Sequence, residues 1–227
     1  FGTDPGGGKT TTPIGVGVQA VSPALAFQST GSIIVATGNG VDQVILRYSA
    51  TGVLDTAFGG TANGIVTTNA GGTDFANAVA VQQVAGVPAL SDKIVVAGHA
   101  NVNFTLGTSD ISLVRYKADG TLDTTFGASA TGIVTTDLGG FDNVFSIALQ
   151  DQAPAEPLIL VSGNTGTGGN SQMAVLRYTS VGALDTTFNT TGKVIVNLVG
   201  PGTVASGNAV VLQAVGGNVD VVVAGYD

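Results

Sequence analysis

Tyr116-Lys117-Ala118-Asp119-Gly120-Thr121-Leu122-Asp123-Thr124-Thr125-Phe126-Gly127 decides the reading of this chain, because its second half recurs. Leu54-Asp55-Thr56-Ala57-Phe58-Gly59 precedes it and Leu184-Asp185-Thr186-Thr187-Phe188-Asn189 follows it. The chain opens on the matching pair Phe1-Gly2, so successive phenylalanines stand 57, 68 and 62 residues apart. Self-similarity at such a period marks a tandem array of equivalent units.

Other landmarks keep step with this one. Apolar runs ending in glutamine occur at Ala24–Gln28, Ala78–Gln82, Phe145–Gln150 and Ala209–Gln213. A second set ends in glycine, at Ile33–Gly38, Ile94–Gly98, Leu158–Gly163 and Val221–Gly225. A third ends in Arg-Tyr, at Val44–Tyr48, Ile111–Tyr116 and Met173–Tyr178. A fourth follows the Phe-Gly turn, at Ile65–Thr68, Ile133–Thr136 and Val194–Asn197, with Lys9–Ile14 in that place at the start. Each run is short, rich in Val and Ile, and bounded by Gly, Asn or Asp, so each period holds four strands. A small sheet cannot bury both faces alone, and four strands per period suit the blade of a β-propeller, where neighbouring sheets cover each other. Lys93-Ile94-Val95-Val96-Ala97-Gly98 is apolar at consecutive positions, as a strand covered on both faces requires.

The expected fold is therefore all-β, a propeller-like array of four-stranded blades over residues 1–227, with about four repeats. Cut at the phenylalanines, these are 1–57, 58–125, 126–187 and an incomplete 188–227. The runs number about fifteen, one short of four full sets, which implies a longer parent protein or a strand supplied from elsewhere. The opening at Phe1 without methionine is expected of a processed or excised segment. Length varies at Gly86–Ser91, Val102–Ser109, Ala153–Pro157 and Thr165–Asn170, where surface loops are expected.

Composition agrees and excludes much. Of the 227 residues 44% are hydrophobic and only 10% charged, well below the usual share of about 25%. The net charge is −8 and the seven basic residues are scattered, so the clustered basic face of a nucleic-acid binder is missing. No run of 18 apolar residues provides a membrane span. There is no cysteine, which removes disulfides, thiol catalysis and cysteine-ligated zinc.

The Arg-Tyr, Leu-Asp-Thr-Thr-Phe-Gly and Lys-Ile-Val-Val-Ala-Gly elements together resemble the delta-60 repeat family of tandem arrays in bacterial proteins. The resemblance spans essentially the whole chain, with the first repeat most divergent. It implies a propeller-like fold and a secreted or surface setting, and it carries no catalytic residues with it. Ala57 for threonine and Asn189 for glycine are its departures from the pattern.

Three groups of side chains are candidates for chemistry. Arg47, Arg115 and Arg177 each precede an aspartate by eight residues: Asp55, Asp123 and Asp185. A turn between them brings the two charges together, either as a structural ion pair repeated per blade or as a ring of anion-binding arginines. The structural reading is favoured, since a catalytic device would not be needed identically in every repeat. Asp42, Asp74, Asp110 and Asp142 lie in or near glycine-rich turns. They are candidate calcium ligands on one reading and caps of Asx turns on the other, which is favoured. His99, the only histidine, stands where Asn39, Asn164 and Tyr226 stand in the other repeats, and is expected in a surface turn. Tyr48, Tyr116 and Tyr178, with Phe1, Phe58, Phe126 and Phe188, are expected to pack between blades.

The function expected from this pattern is a non-catalytic extracellular or cell-surface module. It would bind a protein or glycan ligand through variable loops, without cofactor, nucleic acid or membrane insertion. The alternatives are an enzyme of lyase or glycosidase type on a propeller scaffold, and a subunit that self-associates through open strand edges.

Overall fold

A computed structural model describes residues 8–15, 23–84, 92–103, 105–152, 155–167, 169–197 and 204–226. The described chain is built from fourteen strands and one short 3-10 turn at Phe58–Gly60. The first sheet holds β1 (Ala24–Phe27), β2 (Ile33–Gly38), β3 (Gln43–Tyr48) and β4 (Ile65–Thr68). The second holds β5 (Phe75–Gln82), β6 (Lys93–Asn103), β7 (Thr108–Tyr116) and β8 (Ile133–Thr136). The third holds β9 (Asn143–Gln152), β10 (Ala155–Thr167), β11 (Asn170–Tyr178) and β12 (Lys193–Val196). The fourth holds β13 (Ser206–Val215) and β14 (Asn218–Tyr226). Within each sheet the strands pair in sequence order and antiparallel, and the chain then crosses from the last strand to the first strand of the next sheet. This is a β-propeller-like array of four-stranded blades whose last member is incomplete.

The alternation of β6 shows why consecutive apolar residues are needed. Successive side chains of a strand point to opposite faces. Ile94 and Val96 enter a core shared with Ile34, Ile45 and Phe58 of the first blade. Val95 and Ala97 enter a second core with Ile159, Val161 and Leu176 of the third. All four are fully buried, so the middle blade is covered on both faces. The outer faces are open in part among the described residues, although Val44 and Leu46 of β3 are buried. Leu25 and Phe27 are exposed on β1, as are Val211, Val215, Val219 and Val222 on the last hairpin.

The structure corrects the sequence reading at several points. The repeats cut at phenylalanine are out of phase with the sheets, because β4, β8 and β12 follow the phenylalanine yet pair with the strand before it. Lys9–Ile14 forms no strand. The first sheet already has four strands of its own, and Pro13 has no N–H to give a ladder. The fourth-strand run of the third blade is Lys193–Val196, one residue earlier than Val194–Asn197. Two expected loops are hairpin extensions: β6 and β7 run into Val102–Ser109, and β10 and β11 leave only two residues of Thr165–Asn170 between them. Pro157 likewise lies inside β10. The expected loop at Gly86–Ser91 and the core position of Phe1 lie outside the described residues.

Candidate functional site

Each Arg-Tyr strand is followed by a return that the turn residues impose. Asp55, Asp123 and Asp185 donate their backbone N–H to the carbonyls of Arg47, Arg115 and Arg177, 2.9 Å in each case. That register sets carboxylate beside guanidinium. Arg47 Nη2 lies 2.6 Å from Asp55 Oδ2, Arg115 Nε 2.9 Å from Asp123 Oδ2, and Arg177 Nε 2.8 Å from Asp185 Oδ2. The Arg115 contact is ionic, its angle being too bent for a hydrogen bond. In each pair the guanidinium also lies over the following phenylalanine: 4.7 Å from the Phe58 and Phe126 ring centroids and 4.9 Å from that of Phe188.

Two of these pairs belong to the junctions between blades. Arg47 Nη1 donates to the carbonyl of Ala118 in the second blade at 2.8 Å, and Arg115 Nη1 to that of Ser180 in the third at 2.5 Å. Gly120 and Gly182, both at φ +89°, sit on the rings of Phe58 and Phe126, where a Cβ would come within 3 Å. Two tyrosines tie the same junctions from the other side, Tyr116 donating to Thr68 at 2.7 Å and Tyr178 to Thr136 at 2.9 Å, and Tyr48 donates to Thr12, ahead of the first blade, at 2.7 Å. Phe58 and Phe126 are fully buried, whereas Phe188 is only half-buried, contrary to its expected role as a core plug. No described turn covers it as Gly120 and Gly182 cover the other two.

Glu156, the sole glutamate, was not singled out by its sequence context. It pairs with Arg115 Nη1 at 2.9 Å and with Lys93 Nζ at 2.5 Å, and Lys93 lies 3.3 Å from Asp123. Burial opposes ionisation of Asp123, but the Thr125 hydroxyl and the charges of Arg115 and Lys93 together hold its carboxyl below the usual range. The second junction therefore carries a four-membered charge network in place of a simple pair. It also strands Gln82. Gln28 and Gln150, its equivalents, accept from Arg47 and Arg177, whereas Arg115 turns to Glu156 and Gln82 keeps no partner.

The second candidate group sits at the opposite end of the same strands, where the chain crosses between blades. Asp110, Asp142 and a residue the sequence reading missed, Asp137, place one carboxylate oxygen each within 4.8 Å of one another. Asp137 directly follows β8, where Asn69 and Asn197 follow β4 and β12, and that equivalence is the signal that would have found it. Asp142 is fully buried; its Oδ1 accepts from Thr165 and its Oδ2 from the Leu138 N–H. Burial raises its carboxyl above the ordinary value, and the charges of Asp137 and Asp110 add to this. Asp74 occupies the same place one blade earlier, and burial with the charge of Asp42 pushes it up to about 6.

His99 is not a surface residue. It is 9% exposed, its ring lies 4.9 Å from that of Phe75 and 6.1 Å from that of Phe141, and Asn77 Nδ2 approaches Nδ1 at 3.3 Å. Burial lowers its pKa to about 4, so the imidazole is neutral at pH 7. The position follows the strand glycine, and the extension of β6 to Asn103 carries it under the next crossover, out of a turn.

Residues 90–126 and 159–188 match a family described as a β-propeller domain of unknown function, DUF5122. The chain is similar to this family over those two stretches. They cover β6 and β7 with the return to Phe126, and β10 from Ile159 and β11 with the return to Phe188. They include the pairs Arg115–Asp123 and Arg177–Asp185 but not Arg47–Asp55 or Glu156. No curated protein matches the chain. No solved structure matches it.

Proposed function

We propose that the protein is a non-catalytic scaffold of the delta-60 repeat type, which displays variable hairpins to a protein or glycan ligand outside the cell. One observation carries this reading. The arginine–aspartate pairs recur in the first three blades and two of them fasten the next blade's turn, while the hairpin tips at one end differ in length from blade to blade. In the first blade the turn between β2 and β3 is four residues, Asn39–Asp42. In the second and third, the equivalent strands extend outward to Asn103 and Thr167, and Leu106 at the second tip is 73% exposed. A rigid base with variable tips is how loop-borne recognition is generally built.

The test is a binding screen of the folded protein against glycan arrays and cell-surface proteins. A variant in which Asn103–Thr108 is shortened to the length of the first blade's turn serves as the control. Binding lost in that variant supports the reading. Turnover of polysaccharide substrates by the purified protein would replace it with the enzymatic alternative. The extracellular setting is checked by fractionating the producing cells and locating the protein with an antibody.

A second reading, self-association, is favoured by the apolar outer faces at Leu25 and Phe27 and at Val211, Val215, Val219 and Val222. Patches of this kind commonly mark contact surfaces. Sedimentation over a hundredfold concentration range, roughly, separates the cases. A mass that stays monomeric throughout argues against it.

A further inference from the structure

Three crossovers join the blades, and all are pinned by the same backbone bond. The Asp74 N–H donates to the Val41 carbonyl at 2.8 Å, that of Asp142 to Ser109 at 3.2 Å, and that of Ala205 to Ser171 at 3.0 Å. The side chains at equivalent positions differ in concert. The first crossover has Asp42, Asn69 and Asp74; the second has Asp110, Asp137 and Asp142; the third has Gln172, Asn197 and Ala205. At the third the same backbone bond forms with no carboxylate at these positions, so the bond itself does not require the acids.

At the second crossover three carboxylate oxygens lie within 4.8 Å of one another, but each carboxylate already accepts hydrogen bonds: Asp142 from Thr165 and the Leu138 N–H, Asp137 from the Gly139 N–H at 2.7 Å, and Asp110 from Asn101 Nδ2 at 2.6 Å. At the first crossover the observation is independent of clustering. Asp74 is fully buried; its Oδ2 accepts from the Ala70 N–H at 2.5 Å, and its Oδ1 has no hydrogen-bond partner. Oδ1 of Asp42 is also buried without a partner. Ala100 follows His99 where Thr165 follows Asn164, so the hydroxyl that donates to Asp142 has no counterpart for Asp74. A buried carboxylate oxygen without a donor is costly unless a positive charge compensates it.

We propose that the first crossover binds a hard divalent cation of the calcium class through Asp42 and Asp74, whose buried Oδ1 atoms both lack a hydrogen-bond partner. Carboxylate oxygen is the ligand hard ions prefer; the chain has no cysteine, and its one histidine is held between phenylalanine rings. Loop carbonyls and water complete the coordination. Occupancy clamps the end of one blade to the start of the next, beside the variable hairpins.

Calorimetric titration of the chelator-treated full chain with calcium chloride, and separately with magnesium chloride, tests this. One saturable calcium site is expected, with a thermal midpoint raised by roughly 5 °C in about 1 mM calcium. Asp74→Asn abolishes the site while its midpoint in chelator does not fall below that of the unsubstituted protein, and Asp142→Asn retains it. Absence of binding heat together with an unchanged midpoint overturns the proposal. So does retention of the site in Asp74→Asn. Loss of the site in Asp142→Asn but not in Asp74→Asn does so as well.

Discussion

The guanidinium of Arg115, in the second blade, donates to the carbonyl of Ser180, in the third, at 2.5 Å. An arginine that pairs with its own blade's aspartate thus also fastens the next blade's turn. Arg115 is 1% exposed, whereas Arg177 is 16% exposed and has no such turn before it among the described residues. Removing one partner of a buried network leaves the others uncompensated. Arg115→Ala should therefore cost about 3–5 kcal/mol, and Arg177→Ala about 1 kcal/mol or less. Urea unfolding midpoints compare the two, and equal losses would mean that the contact to Ser180 contributes little.

Tyr116 and Thr68 share a buried hydroxyl bond of 2.7 Å across the first junction. Tyr116→Phe leaves the threonine hydroxyl without its donor, and a loss of about 1–2 kcal/mol is expected. Thr68→Val in the same background should restore part of it, since both polar groups are then gone. A double-mutant cycle on these two positions measures the coupling.

Gly120 has φ +89°, and a Cβ there would lie 2.6 Å from the Phe58 ring. Gly120→Ala meets backbone strain and a steric clash together, and about 2–4 kcal/mol of destabilisation is expected. Gly216, at φ +57° in the last hairpin, has open space around it, so Gly216→Ala should cost no more than about 1 kcal/mol. Thermal unfolding of the two variants separates packing from backbone preference.

His99 gives the fold an acid-sensitive element. Its folded-state pKa is near 4 against an ordinary 6.5, so the unfolded chain binds the proton more readily. Stability from this residue is complete above pH 6.5 and is lost as the pH falls towards 4, by up to about 3 kcal/mol. Asp74 acts in the opposite sense: raised to about 6, it favours the folded state as the pH falls through that value. Comparing His99→Asn with the unsubstituted protein at each pH isolates the histidine. The variant should lose less stability between pH 6.5 and 4, and parallel curves would contradict the assignment.

How much was legible from sequence can be traced through particular residues. Val95 and Val96 were readable as a strand covered on both faces, because period-two geometry leaves no other use for consecutive apolar residues. Arg115 and Asp123 were readable as neighbours, because a short return fixes the register. Their extension to Lys93, Glu156 and Ser180 was not, since Glu156 and Ser180 stand 41 and 65 positions from Arg115 in the chain and the network differs from blade to blade. Asp137 was overlooked because a single aspartate after a strand carries no pattern of its own. His99 was misplaced because its neighbours in the other repeats are polar, and polarity stood in for exposure.

The amino-acid order alone settled the repeat and most of the strand content, since these depend on alternation and turns acting over a few residues. Where one blade ends and the next begins was settled in three dimensions, because only hydrogen bonding between strands decides that β4 joins β3 and not β5. The same holds for which carboxylates meet. Asp110 and Asp142 stand 32 positions apart and are brought together by the crossover, a contact that no local rule encodes.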